Sequence, residues 1–196
     1  MNNIDRIKNF IEENKGTIKT SDIKKQGFSK AHLSQLEKQN EIERVSHGVY
    51  INSNTFEDEY FILQANTNKF IYSHMTALYL HGIAEKVPDK FDITVPYSYN
   101  SKKLKNHNLF YVSPEMFDIG TTEIESPFSN KIKVYEIERC ICDIIRSKSR
   151  MDIEQVKKCI KEYIKKNNDN HFKLLAYAKR MGMYKKIVMY MEPYYE

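Results

Sequence analysis

The sequence predicts an α+β protein with a small N-terminal domain and a larger mixed domain of short strands and several helices. Apolar side chains recur at helical spacing near both ends of the chain, a hairpin pattern surrounds Gly48, and short β-branched runs lie between residues 92 and 135. The chain has 196 residues with 14 Tyr and 10 Phe, enough for two packed cores. We place the domains at 1–52 and 53–196, joined by the polar run 53–55.

The N-terminal domain begins with a helix whose apolar residues fall on one face. The spacing predicts this helix over residues 3–14, and Gly16 ends it. A second, very short helix follows and reaches about Lys25. Thr20 or Ser21 is expected to cap it, since a hydroxyl there can accept a bond from a free backbone N–H.

A third helix carries the clearest start and stop signals in the chain. Ser29 is the expected N-cap, and Phe28 and Leu33 have the spacing of a hydrophobic staple. Leu33 and Leu36 form its apolar stripe. Asn40 can adopt the left-handed conformation that ends a helix.

A β-hairpin is predicted directly after this helix, over residues 42–51 with its turn at Gly48. The order of helix, short helix, third helix and hairpin is typical of a winged helix-turn-helix domain. In such a domain the second helix of the helix-turn-helix, here the third helix of the chain, enters the DNA major groove. A module that only contacts proteins is the alternative. The expected DNA-binding residues are Thr20, Ser21, Lys24, Ser29, Lys30, His32, Ser34, Gln35, Lys38, Arg44 and His47.

These residues have different expected partners. Gln and Lys side chains of the third helix pair well with base edges, whereas Thr20, Ser21 and Lys24 are better placed for phosphates. Arg44 and His47, at the hairpin turn or wing, are expected in a minor groove or on the backbone.

The second domain is predicted to alternate helices with short strands. The helices are expected at 56–65, 73–81, 136–146, 152–167, 171–181 and 185–190. The strands are expected at 70–72, 92–96, 109–112 and 132–135.

Three segments, taken in order, resemble the AbiEi family, the antitoxins of AbiE type IV toxin–antitoxin and abortive-infection systems. They are the hairpin at 42–50, the run Ser-His-Met-Thr-Ala-Leu-Tyr-Leu-His-Gly-Ile at 73–83 with Ile-Thr-Val-Pro at 93–96, and Val-Tyr-Glu-Ile-Glu-Arg-Cys-Ile-Cys-Asp at 134–143. The resemblance extends from about residue 4 to about residue 185. The wing position that is commonly basic in the family is His47 here.

The resemblance implies a division of labour between the domains. The winged helix would bind inverted repeats in the promoter of its own operon and repress it. The C-terminal domain would neutralise a nucleotidyltransferase-like AbiEii toxin, without a stable complex between the two proteins. A winged helix offers few base contacts, so we expect a monomer in solution that binds double-stranded DNA cooperatively. The alternative is a stand-alone regulator whose second domain senses a ligand or a protein.

The C-terminal segment carries a further basic surface. Residues 147–196 contain 12 Lys and Arg against 6 Asp and Glu, within a net charge of +5 for the chain. Clustered basic charge favours a phosphate backbone through counterion release. An accessory face that extends the DNA footprint or contacts RNA is therefore predicted, and it comprises Lys148, Arg150, Lys157, Lys158, Lys161 and Lys165.

An enzyme is the competing class of protein, and few features of the sequence support it. Asp89 and Asp92 suggest a nuclease core, but position 94 is Thr where a lysine would be needed. The three cysteines lack metal-site spacing and are interpreted as reduced, buried thiols. We predict no catalytic residue, metal or cofactor. The chain has no signal peptide pattern and no long apolar run, so a cytoplasmic protein without membrane contact is expected.

Overall fold

The computed structural model describes residues 2–67, 69–99, 102–166 and 171–194. The chain forms two compact units, which comprise residues 1–68 with 124–132 and residues 69–123 with 133–196. Each unit contains helices and strands, which confirms the predicted mixture of the two. The assignment of functional domains to 1–52 and 53–196 stays a prediction. Within the described ranges, no helix has the length and apolar character of a membrane span.

The first unit begins with three helices, and the first two of them pack against the short strand that lies between them in the chain. Its elements are α1 Asn3–Glu13, β1 Thr17–Lys19, α2 Thr20–Lys25, α3 Lys30–Lys38, β2 Ile42–Ser46, β3 Val49–Asn52 and α4 Glu59–Asn66. Ile7, Ile11, Ile23 and Leu36 are fully buried in its core. The apolar stripes that predicted α1 and α3 therefore face the interior of the unit, as helical amphipathicity requires.

A three-stranded antiparallel sheet lies beside these helices in the order β1-β3-β2. Thr17 pairs with Ile51, and Ile42 pairs with Asn52. The register shifts between Arg44 and Ser46, which marks a bulge just before the turn at residues 47–48. A bulge bends the strand and strengthens its twist, so it changes the direction in which the turn points.

Two local predictions for this unit were wrong. The N-cap position of α2 is Lys19, not Thr20 or Ser21, and no side chain caps that helix. The fourth helix begins at Glu59 and not at Phe56, because the carboxylate of Asp58 accepts the backbone N–H of Phe61 and caps the helix there. Asp58 itself is fully buried.

The second unit has strands and helices of its own, among them a helix of 14 residues. Its elements are β4 Ile71–Tyr72, α5 His74–Leu80, β5 Asp92–Pro96, β6 Asn108–Val112, α6 Pro114–Phe117, α7 Ile137–Arg146, α8 Ile153–Lys166, α9 His171–Arg180 and α10 Tyr184–Met191. Strands β7 Thr121–Glu125 and β8 Lys131–Tyr135 belong to it in part, because their residues 124–125 and 131–132 belong to the first unit. The sequence did not predict α6 or β7. Asn167, the last residue of the predicted helix 152–167, lies outside the described residues.

Five strands form the second sheet in the order β6-β5-β4-β8-β7. β4 pairs antiparallel with β5 and parallel with β8, and β5 pairs parallel with β6. Helix α7 lies in the interior, and its residues 138–145 are all buried. Within it, Arg139 donates from Nε to Asp143 Oδ2 at 2.9 Å and from Nη1 to the carbonyl oxygens of Met116 and Ile119 at 2.9 and 2.7 Å.

Candidate nucleic-acid interface

Helix α3 presents one polar face outward because its apolar face is used by the core. Leu33 and Leu36 are 1% and 0% exposed, whereas Ser34, Gln35 and Lys38 are exposed. At about 100° per residue, the three polar positions fall on the side of the helix opposite the two leucines. This face has the donors and acceptors that reading base edges would require.

A groove of about 360 Å³ lies at the N-terminal end of α3. Five of the predicted residues come together in it, namely Thr20, Ser21, Lys24, Lys30 and His47. The two lysines and the two hydroxyls are groups that bind anionic oxygens. The groove can therefore accept a phosphate group of a nucleic-acid backbone.

Hydrogen bonds between the start of α2 and the hairpin turn fix this groove. The backbone N–H of Thr20 donates to the carbonyl oxygen of Gly48 at 2.8 Å, and the Thr20 hydroxyl lies 3.4 Å from the same oxygen. Gly48 has a φ of +72°, a backbone conformation that residues other than glycine adopt only at a cost in conformational energy. The turn and the helix therefore hold each other at a fixed separation.

Two further residues line the groove that the sequence did not single out. Lys19, the residue before α2, places its Nζ 4.7 Å from the centre of the Phe61 ring, which holds the ammonium group by a cation–π contact. Ala65 of α4 forms part of the wall. The basic character of Lys19 beside Thr20 was a usable signal, whereas nothing in the sequence connected Ala65 with residues so far from it in the chain.

Arg44 and His47 meet beside the hairpin turn. The Arg44 guanidinium lies 3.3 Å from His47 Nδ1 and donates from Nε to the carbonyl oxygen of Ser46 at 3.4 Å. Because a guanidinium group can only donate hydrogen bonds, Nδ1 of His47 is the acceptor in this contact, and the N–H of the imidazole is at Nε2. Both side chains are exposed, so the turn presents one cation and one N–H donor to solvent.

Ser29 and His32 do not join the groove. The backbone N–H of Ser29 donates to His32 Nδ1 at 3.3 Å, and the Ser29 hydroxyl lies 3.1 Å from the same nitrogen. The imidazole also packs edge-on against Phe28. His32 is thus directed back over the start of α3, away from the outward face of Ser34 and Gln35.

The predicted accessory basic face divides into two groups in the second unit. Lys158, Lys161 and Lys165 line one cleft of about 280 Å³, together with Glu85 and Glu162. The other three predicted cations already have partners. Lys157 pairs with Glu154 at 2.8 Å, Lys148 donates to the Tyr190 hydroxyl, and Arg150 donates to the Leu109 carbonyl oxygen at 3.1 Å while its guanidinium lies over the Phe110 ring.

The residues considered for catalysis have structural partners. Asp92 accepts from the Met75 backbone N–H at 3.0 Å and from Asn108 Nδ2 at 2.9 Å, and Asp89 pairs with Lys86 at 3.2 Å. Across the described ranges, no group of three potential metal ligands is found. The three cysteines are free and buried, as the sequence predicted, and burial raises the pKa of Cys142 to about 12 and that of Cys159 to about 11.

Comparison with known proteins connects the first unit to a family. Residues 5–53, from α1 to the residue after β3, match the family described as "Transcriptional regulator, AbiEi antitoxin". The resemblance drawn from the sequence is confirmed over this segment. The family is one of transcriptional regulators and antitoxins, not of enzymes. No curated protein matches the chain.

A similar fold occurs in a solved structure. The crystal structure of the RV2827C protein from Mycobacterium tuberculosis matches with a TM-score of 0.56 at 11% sequence identity, over 89% of this chain and 70% of that one. At this identity the likeness concerns the fold alone.

Proposed function

We propose, from the membership of residues 5–53 in the AbiEi family of antitoxin transcriptional regulators, that this chain is a cytoplasmic type IV antitoxin that represses its own operon. Its first unit acts as a winged helix-turn-helix. α3 enters the major groove, the turn at Arg44 and His47 serves as the wing, and the groove beside α2 receives a backbone phosphate. The observation that carries the proposal is the convergence of Thr20, Ser21, Lys24, Lys30 and His47 in one groove beside an exposed polar helix face.

The proposal includes an operator of inverted repeats and a cognate toxin. Several copies bind the repeats cooperatively, because each module offers few base contacts. Residues 53–196 neutralise a nucleotidyltransferase-like toxin of the AbiEii type without forming a stable complex with it, and no cofactor takes part.

A mobility-shift experiment tests the repressor half. The full chain is titrated against the DNA upstream of its own gene and against a scrambled duplex, over a range of salt concentrations. Stepwise, sequence-specific retardation that weakens with salt is expected. Equal retardation of both duplexes, or none, would remove the repressor assignment.

Co-expression tests the antitoxin half. The toxin encoded beside this chain should arrest growth alone, and the full chain should restore growth even when expressed from an unrelated promoter. A lack of rescue would leave a regulator without antitoxin activity.

A further inference from the structure

A buried carboxylate stands at the start of α4 with both of its oxygens occupied. Asp58 is 0% exposed. Its Oδ1 accepts the Phe61 backbone N–H at 3.1 Å, and its Oδ2 accepts from Asn130 Nδ2 at 2.8 Å and from the Ser126 hydroxyl. Three donors on one buried carboxylate hold it firmly, because charge-assisted bonds are strong and an unpaired buried charge is costly.

The two side-chain donors come from residues 126–130, which we term the clasp, about 70 residues further along the chain and in the same compact unit. The clasp is closed by its own bonds. The Ser126 N–H donates to the Asn130 carbonyl oxygen at 2.8 Å, and the Asn130 and Phe128 N–H groups each donate to the Ser126 hydroxyl oxygen at 3.2 Å. The single hydroxyl proton of Ser126 is thereby left for Asp58.

The opposite end of α4 contacts the wing. Asn66 donates from Nδ2 to the Ser46 hydroxyl and to the Ile62 carbonyl oxygen, the latter at 2.8 Å. Ser46 is the last residue of β2, lies at the bulge and precedes His47 of the turn. On the same helix, the Phe61 ring contacts Lys19 and Ala65 lines the groove.

We propose that the clasp and α4 together form a brace that positions the wing turn and the groove against a DNA backbone. Asp58 holds the N-terminal end of α4 against the clasp, and Asn66 connects the C-terminal end of α4 to the wing by a hydrogen bond. Both are therefore positioning residues that need not touch DNA. The DNA part of this inference rests on the proposed function. The mechanical part, that the brace orders the wing, stands on the contacts alone.

The mechanical part is tested in the full chain by hydrogen–deuterium exchange of residues 42–52. Asn66→Ala removes the contact with Ser46 and leaves Asp58 and the clasp intact. Asp58→Asn leaves one accepting oxygen where two are used, so its NH₂ group must face at least one of the three donors. Both variants are expected to exchange several-fold faster in residues 42–52. Glu57→Gln removes the same charge one residue away, at an exposed position, and should exchange as the unaltered chain does.

Operator binding by the same proteins tests the functional part. If the misplaced wing no longer reaches one phosphate, operator affinity should weaken about fivefold and the slope of log K against log salt should fall by about 0.9. Glu57→Gln should change neither quantity.

The outcomes separate the two proposals. If residues 42–52 exchange at the same rate in Asn66→Ala as in the unaltered chain, the brace proposal is overturned, whatever the result of the DNA-binding experiment. Equally faster exchange in residues 3–25 would also overturn it, because the variant would then only destabilise the unit. If exchange of Asn66→Ala is faster only in residues 42–52 but the unaltered chain binds no operator, the brace is supported and the repressor function is refuted. Faster exchange with unaltered operator affinity and salt slope would overturn the positioning role.

Discussion

Single side chains of the candidate interface differ in the information they can read. Gln35 lies on the outward face of α3, whereas Lys30 lies in the groove with the phosphate-type donors of α2. An amide side chain can pair with two atoms of one base edge, while an ammonium group in a groove attracts any phosphate. Specificity and general affinity are therefore expected to depend on different residues of the same helix.

Alanine substitutions test this separation. Gln35→Ala should cost about 1–3 kcal/mol on the operator and little on random DNA. Lys30→Ala should weaken binding to both duplexes equally and reduce the salt slope by the amount expected for about one phosphate. Fluorescence-anisotropy titrations on the two duplexes measure both effects. The assignment is wrong if Gln35→Ala weakens both duplexes alike.

His74 should make the stability of the chain depend on pH. Its imidazole is buried, stacks on Phe110 at 3.5 Å between ring centres and lies beside the hydroxyls of Ser73 and Ser147. Burial, aided by the positive charge of Arg139, lowers the pKa of His74 well below its usual range. The unfolded chain therefore binds a proton below about pH 6.5 that the folded chain does not, so the folded state loses stability as pH falls.

The variant His74→Asn isolates this effect, because Asn tolerates the φ of +47° at this position and does not titrate. Between about pH 6.5 and 5.5, urea unfolding should show the wild type losing about 1 kcal/mol more than the variant. All other titrating groups are common to both proteins. Parallel stability curves over that interval would contradict the assignment.

At the scale of one element, α7 depends on a buried ion pair. Arg139 and Asp143 are 0% and 3% exposed, and Gly120, with a φ of +77°, lies where a Cβ atom would come within 2.9 Å of the Arg139 side chain. The arginine also satisfies two carbonyl oxygens, of Met116 and Ile119. This arrangement fixes the chain before β7 against the helix.

Removing one partner of this ion pair should lower the free energy of unfolding more than removing both partners. Arg139→Met leaves Asp143 buried without its cation and should destabilise the fold by about 3–5 kcal/mol. The double variant Arg139→Met with Asp143→Leu lacks the same carbonyl bonds but carries no unpaired charge, so it should be more stable than the single variant. Chemical denaturation measures both free energies, and a double variant less stable than Arg139→Met would refute this account.

At the scale of the whole molecule, Lys158, Lys161 and Lys165 of the second unit line one cleft together with Glu85 and Glu162. If this cleft extends the DNA footprint, changing the three lysines to glutamate should lower operator affinity and reduce the salt slope by about 0.9 for each phosphate that is no longer neutralised. Changing Lys179, Arg180 and Lys185 to glutamate alters the net charge equally outside the cleft. Equal effects of the two sets would assign the weaker binding to net charge and not to the cleft.

The first three helices of the first unit were predictable because their signals are local. The stripe of Leu33 and Leu36, the stop at Asn40 and the Gly48 turn each act over a few residues, and α3, β2 and β3 follow them. β7 was missed because Thr121–Glu125 has no buried alternation, and α4 was misplaced because its start depends on Asp58.

The sequence by itself determined the first three helices and the hairpin of the first unit, the resemblance of residues 5–53 to the AbiEi family, and the polar face of α3. Periodicity and capping are properties of neighbouring residues, so they can be read along the chain. Only the tertiary structure decided that Lys19 and Ala65 share a groove, that three of six accessory cations have partners, and that Asp58 is bonded by Ser126 and Asn130. These contacts join residues that are distant in the chain, and no local pattern of one sequence encodes which distant donor a buried carboxylate will meet.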